Sequence, residues 1–173
     1  MFRQDRTNPS TAVSNWRGRH DTPKAWPSTA VSTWLNGGLF GGPVTAGAGY
    51  FGGGGVDAGP VSTVDRFLFA DDSRTTLGTG LSSSIENMAA MASPVAGYFG
   101  GGGSGITTVN RFLFSDDSRT TLGTGLSASR KQLAAMASTV AGYFGGGNES
   151  SGMVTTVDRF LFSNDSRTTL GTG

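Results

Sequence analysis

Two adjacent carboxylates, Asp71-Asp72, recur as Asp116-Asp117 and again as Asn164-Asp165. A pair of acids can divide general acid and general base work, or supply oxygen ligands to Ca²⁺. Adjacent residues on a turn point in different directions, however. A pair repeated with Ser after it each time therefore also reads as an Asx turn, in which the side chain holds its own backbone. Both readings stand at this level, the turn being favoured. The remaining candidates are weaker. Gly47-Ala48-Gly49-Tyr50-Phe51-Gly52 satisfies G-x-G-x-x-G, but it lacks the strand and helix that a dinucleotide site needs, and its sister copies lose the pattern. His20 is the only His and there is no Cys, which leaves no Ser or Cys triad, no thiolate and no second imidazole for a metal. The sequons at Asn148 and Asn164 imply glycosylation only with a secretory route. No catalytic residue, cofactor or metal is expected, and the chain does not read as an enzyme.

What places these residues is a repeat. Ala96-Gly97-Tyr98-Phe99-Gly100-Gly101-Gly102-Gly103 recurs from Ala48 and, as far as Gly147, from Ala141, and Arg66, Arg111 and Arg159 lie 45 and 48 residues apart. Periods in the forties belong to propeller blades and to some helical arrays. Each unit divides into four short apolar pieces separated by turn residues, which favours four strands. In the last unit these are 132–137, 140–144, 154–162 and 167–170. The Ala- and Met-containing first piece also suits a helical turn; we read it as a strand. Length differences fall in the Gly-rich stretch between the second and third pieces, where insertions cost little. Phe67-Leu68-Phe69 and its copies make both faces of the third strand apolar, as in a sheet packed between two others. The Asp65-Arg66 step and its copies have two readings, pairing with a neighbouring unit or an Arg snorkelling at a sheet edge.

Gly supplies 29 of 173 residues and the hydrophobic fraction is 36%, the composition of a turn-rich β protein. The charged start is followed by no apolar segment of the signal-peptide kind, and no apolar run is long enough to span a bilayer. In residues 1–40, Arg3, Arg6, Arg17, Arg19 and Lys24 face Asp5 and Asp21, giving +3 there and −2 in the rest of a chain of net charge +1. That asymmetry is too weak to argue for nucleic acid.

Residues 1–43 read as an extended docking arm. Pro9-Ser10-Thr11-Ala12-Val13-Ser14 recurs 18 residues on, from Pro27, and all three Trp lie in this segment, with too few aliphatic residues around them for a core. Trp and Arg are enriched at the buried centres of interfaces, so Trp16, Arg17, Arg19, Trp26 and Trp34 are candidate anchors into a partner. The alternative is an arm folded back on the repeats.

The order Leu126-Ser127, Arg130, Leu133-Ala134-Ala135, Gly142-Tyr143-Phe144-Gly145-Gly146, a variable loop and Thr156-Val157-Asp158-Arg159-Phe160 resembles the kelch repeat. The usual Trp of its fourth strand is absent, with Leu77, Leu122 and Leu170 near that place. The variant is also similar to kelch-like arrays in virion structural proteins of tailed bacteriophages. The resemblance covers residues 44–173. It implies an all-β fold of kelch-like four-stranded blades, a partial β-propeller in which the paired Gly make room near the axis, following the arm. Three units cannot close a ring of about 4–8 blades. A longer chain is the preferred expectation, with completion by further copies the other. The resemblance further implies a structural virion component located in the particle, a tail fibre or other tail appendage. Its implied partners are other virion proteins through the arm, a host-surface receptor and copies of itself, without nucleic acid or membrane insertion. The alternative is a cellular kelch-type scaffold that binds protein.

Overall fold

In the computed structural model, residues 47–103 and 106–171 are described, and among them every regular element is a strand. The first sheet is formed by β1 (Ala48–Gly52), β4 (Val64–Leu68) and β5 (Arg74–Thr76), in that order. The second contains β6 (Ala89–Ala92), β7 (Ala96–Gly100), β8 (Val109–Leu113) and β9 (Arg119–Thr121), and the third β10 (Ala134–Ala137), β11 (Ala141–Gly145), β14 (Val157–Leu161) and β15 (Arg167–Leu170). Both of these are antiparallel meanders in sequence order. The Ala- and Met-containing piece is thus a strand in both. Two hairpins, β2 (Gly55–Val56) with β3 (Gly59–Pro60) and β12 (Asn148–Glu149) with β13 (Gly152–Met153), occupy the variable Gly-rich stretches. The third strand of the last unit starts at Val157 rather than near Val154, as its counterpart in the second unit starts at Val109. The expected all-β class is present; among the described residues the three sheets do not close into a barrel or ring.

Registers are the same in each sheet. Tyr50 lies opposite Arg66, Tyr98 opposite Arg111 and Tyr143 opposite Arg159. Because side chains alternate along a strand, these pairs occupy one face, while Phe51 with Asp65, Phe99 with Asn110 and Phe144 with Asp158 occupy the other. An edge-to-face aromatic pair repeats on that second face: Phe51 on Phe67, Phe99 on Phe112 and Phe144 on Phe160, at 5.5, 5.8 and 5.9 Å.

The core lies between sheets. One cluster joins Val64 and Tyr50 of the first sheet to Phe99 and Phe112 of the second, with Leu81 from the connecting loop. The other joins Met91, Tyr98 and Val109 of the second to Phe144 and Phe160 of the third, with Leu126 and Leu133. The glycines fit this arrangement. A Cβ on Gly100 would lie 2.7 Å from the Phe144 ring, and one on Gly101, whose φ is 71°, would lie 2.7 Å from the Arg130 carbonyl oxygen. The close approach that glycine permits is to the next sheet and its leading loop.

Polar side chains also sit inside the packing, an ion pair among them. Arg130, fully buried, pairs with buried Asp158 at 2.6 Å and donates to the Thr156 carbonyl at 2.6 Å; Asp158 also accepts from Ser127 and Thr169. In the preceding unit the same two places hold Ile85 and Asn110, so the ion pair is replaced by an apolar and a neutral residue together. Both changes are needed: loss of Asp158 alone would strand buried Arg130, and loss of Arg130 alone would leave buried Asp158 only its longer 3.9 Å pairing with Arg167, at a cost of up to about 3–5 kcal/mol. Arg130→Ile alone is therefore expected to lower unfolding stability by that order in urea titrations. Arg130→Ile with Asp158→Asn should recover most of the loss, whereas a double variant as unstable as the single would contradict this account.

Candidate functional site

The feature built most consistently is the contact each unit makes with the next. Tyr50 and Arg66 both reach Asp117 in the turn between β8 and β9. The Tyr50 hydroxyl donates to Oδ1 at 2.6 Å and the Arg66 guanidinium pairs with Oδ2. Tyr98 and Arg111 repeat this on Asp165 in the turn between β14 and β15, with a hydroxyl distance of 2.9 Å and an Arg111–Asp165 ion pair. Each tyrosine ring also stacks on the phenylalanine that follows the neighbour's third strand. Tyr50 lies 5.3 Å from Phe114 and Tyr98 lies 5.2 Å from Phe162. The two readings of the Asp-Arg step are resolved for these units, since Arg66 and Arg111 pair with the neighbouring unit and do not snorkel.

The acidic turns divide their work. The first member of each pair holds the turn: Asp71, Asp116 and Asn164 accept from the amides of Ser73, Ser118 and Ser166 at 3.1, 3.0 and 3.1 Å. These are Asx turns, as expected, and Asn serves there as well as Asp. Hydrogen bonds from the serine side chains, then from backbone amides, hold Asp71 and Asp116 below the ordinary carboxylate range. The second member is Asp in every unit. Asp72, Asp117 and Asp165 have φ of 57°, 58° and 55°, in a left-handed region that Asp tolerates better than most residues. From there Asp117 and Asp165 present both oxygens to the preceding unit. The charge requirement explains why Asn replaces only the first member.

Further bonds tie each loop to its neighbours. The Gly54 amide donates to the Ile85 carbonyl at 2.9 Å and Gly102 to the Arg130 carbonyl at 2.8 Å. Arg119 and Arg167 donate to the Gly80 and Gly125 carbonyls, at 3.1 and 3.0 Å. The buried Arg130–Asp158 pair is a contact that the sequence pattern does not reveal. Its signal was the paired exchange with Ile85 and Asn110, visible in the sequence but silent on proximity.

Among the described residues no three His, Cys, Asp or Glu side chains are grouped so as to hold a metal ion. The candidate anchors Trp16, Arg17, Arg19, Trp26 and Trp34, with the whole arm 1–43, lie outside the described residues. No family model matches the chain, and no curated protein matches it.

Burial first, and then the hydrogen bond to the neighbouring carboxylate, push the Tyr50 and Tyr98 phenols from the ordinary 10 up to about 12. Unfolded, these groups lose their protons near pH 10; folded, they keep them to about 12. Their stabilising contribution is complete below pH 10 and is lost as pH rises through that window. Absorbance titration of phenolate should find two late-ionising tyrosines, and Asp165→Asn should bring the Tyr98 ionisation down. An ionisation profile unchanged by Asp165→Asn would contradict the contact.

Proposed function

We propose that this chain is a structural component of a tailed-bacteriophage virion, a tail fibre or other tail appendage, docked through residues 1–43 and presenting its sheets towards the host surface. The observation that supports the reading best is the unit-to-unit contact, made twice with the same residue types. A chain built this way extends by adding units, each fixed to the last by packing, a stacked aromatic pair and an ion pair. Such a body suits rigid display. Length variation between units is confined to the stretches holding the β2–β3 and β12–β13 hairpins, whose Val56 and Met153 side chains are exposed. A module that keeps its joints constant while varying its hairpins fits a binding surface for a host receptor. The kelch-like propeller, with sheets as blades around an axis, is the architecture we assign to the complete assembly. The Trp and Arg of the arm supply the large, rigid anchors that a docking segment needs.

Deleting residues 1–43 is expected to remove the protein from purified particles, as read by quantitative mass spectrometry of virions, while leaving residues 47–171 folded by circular dichroism. Retention at the undeleted level would contradict the role of the arm. Absence of the full chain from particles, with capture of a cellular protein instead, would replace this reading with that of a cellular scaffold.

A further inference from the structure

The two outer faces of the described array carry the two complementary sets of side chains of its internal joint, the Tyr–Arg set and the Phe–Asp set. On the third sheet, Tyr143 and Arg159 are register partners like Tyr98 and Arg111, yet among the described residues no carboxylate is paired with Arg159. Beside them is a cavity of about 520 Å³ lined by Ala135, Met136, Tyr143, Gly145, Val154 and Val157. The corresponding space in the inner joints is filled: the Phe99 ring lies against Gly52 and the Phe144 ring against Gly100. Met136 is 67% exposed, whereas Met91, its counterpart in the second sheet, is 8% exposed and packs on Gly142 of the third.

The first sheet shows the opposite set. Phe51, counterpart of Phe99 and Phe144, is 68% exposed. Phe69, counterpart of the stacked Phe114 and Phe162, is 67% exposed. Asp72 has the left-handed backbone of Asp117 and Asp165 and is exposed on its turn. An aromatic ring, a stacking partner and a carboxylate are thus presented where the third sheet offers a cavity, a tyrosine and an arginine.

We infer that the outer face of the third sheet binds the outer face of the first sheet of a second copy of this chain. Phe51 of one copy enters the cavity at Gly145 of the other, Phe69 stacks on Tyr143, and Asp72 accepts from Tyr143 and Arg159. Aromatic placement and charge sign match contacts that the molecule already makes internally. The joint is heterologous, since the surfaces that meet are different ones, so copies add head to tail and form a ring or an open chain according to whether the rotation closes. The inference does not depend on where the protein works.

Sedimentation velocity on the full chain over a wide concentration range tests it, with two variants that leave the inner joints intact. Asp72→Asn keeps a side chain that tolerates the left-handed backbone, and Arg159→Met keeps the length of the stem. The wild-type chain is expected to associate progressively with concentration. Each variant alone should associate at least about tenfold more weakly, because each loses a charge-assisted hydrogen bond. The decisive arm is their equimolar mixture. Asp72→Asn retains a sound third-sheet face and Arg159→Met a sound first-sheet face, so the mixture should form dimers and nothing larger where each variant alone is monomeric. A wild-type chain that stays monomeric throughout, variants that associate like wild type, or a mixture that stays monomeric would each overturn the inference. Circular dichroism of both variants, expected to match wild type, separates lost association from lost folding.

Discussion

Phe99 lies against Gly52 and Phe144 against Gly100, and in neither case do ring and glycine share a sheet. That displacement of the core from within each sheet to the space between sheets governs the rest of the structure. A three- or four-stranded sheet of this size has two apolar faces and no layer of its own to bury them. Fully burying a side chain such as Phe144 or Phe160 stabilises by about 1.5–3 kcal/mol, but only when the neighbouring unit is present. Each sheet therefore depends on the next, which is the energetic pattern of repeat proteins. The glycines follow from the same constraint, since a Cβ on Gly100 or Gly101 would hold two sheets apart.

Apolar packing alone leaves rotation and sliding between sheets weakly specified. The polar contacts supply the missing direction. The Tyr–Arg register pair offers three groups on one face, a ring, a hydroxyl and a guanidinium, and the neighbouring turn answers with a ring and a carboxylate. The turn is stiffened by its own Asx bond before it meets the partner, so little freedom remains to be lost when the ion pair forms. The Arg130–Asp158 pair plays a different part. It ties a connecting loop to the third sheet, and Ile85 with Asn110 shows the same position filled without charge. One joint thus tolerates two chemistries provided the two residues change together.

Much of the fold was legible in the sequence. The period, the four-strand division and the strand assignment of Ala89–Ala92 and Ala134–Ala137 came from short apolar pieces between turn residues. The Asx turns were legible because Asx chemistry is local, needing only the side chain and the amide two residues on. The partner of each arginine was not, because Arg66 and Asp117 are 51 residues apart and only the stacking of sheets brings them together. The same holds for Arg130 and Asp158, 28 residues apart. The hairpins in the Gly-rich stretches are not legible in the sequence, since two-residue strands carry no periodicity to detect. The division of labour within the acidic pairs was partly visible, in that Asn appears at the first place and never at the second.

The core belongs to the joint between units and not to the single sheet. The direct measurement is urea unfolding, followed by circular dichroism, of the excised second unit, residues 79–125, beside the excised pair of units, residues 79–171. The pair contains one complete joint and is predicted to unfold cooperatively. The single unit contains none and is predicted to show no cooperative transition. A single unit that unfolds cooperatively with the stability of the pair would show that each sheet carries its own core, and would contradict the account.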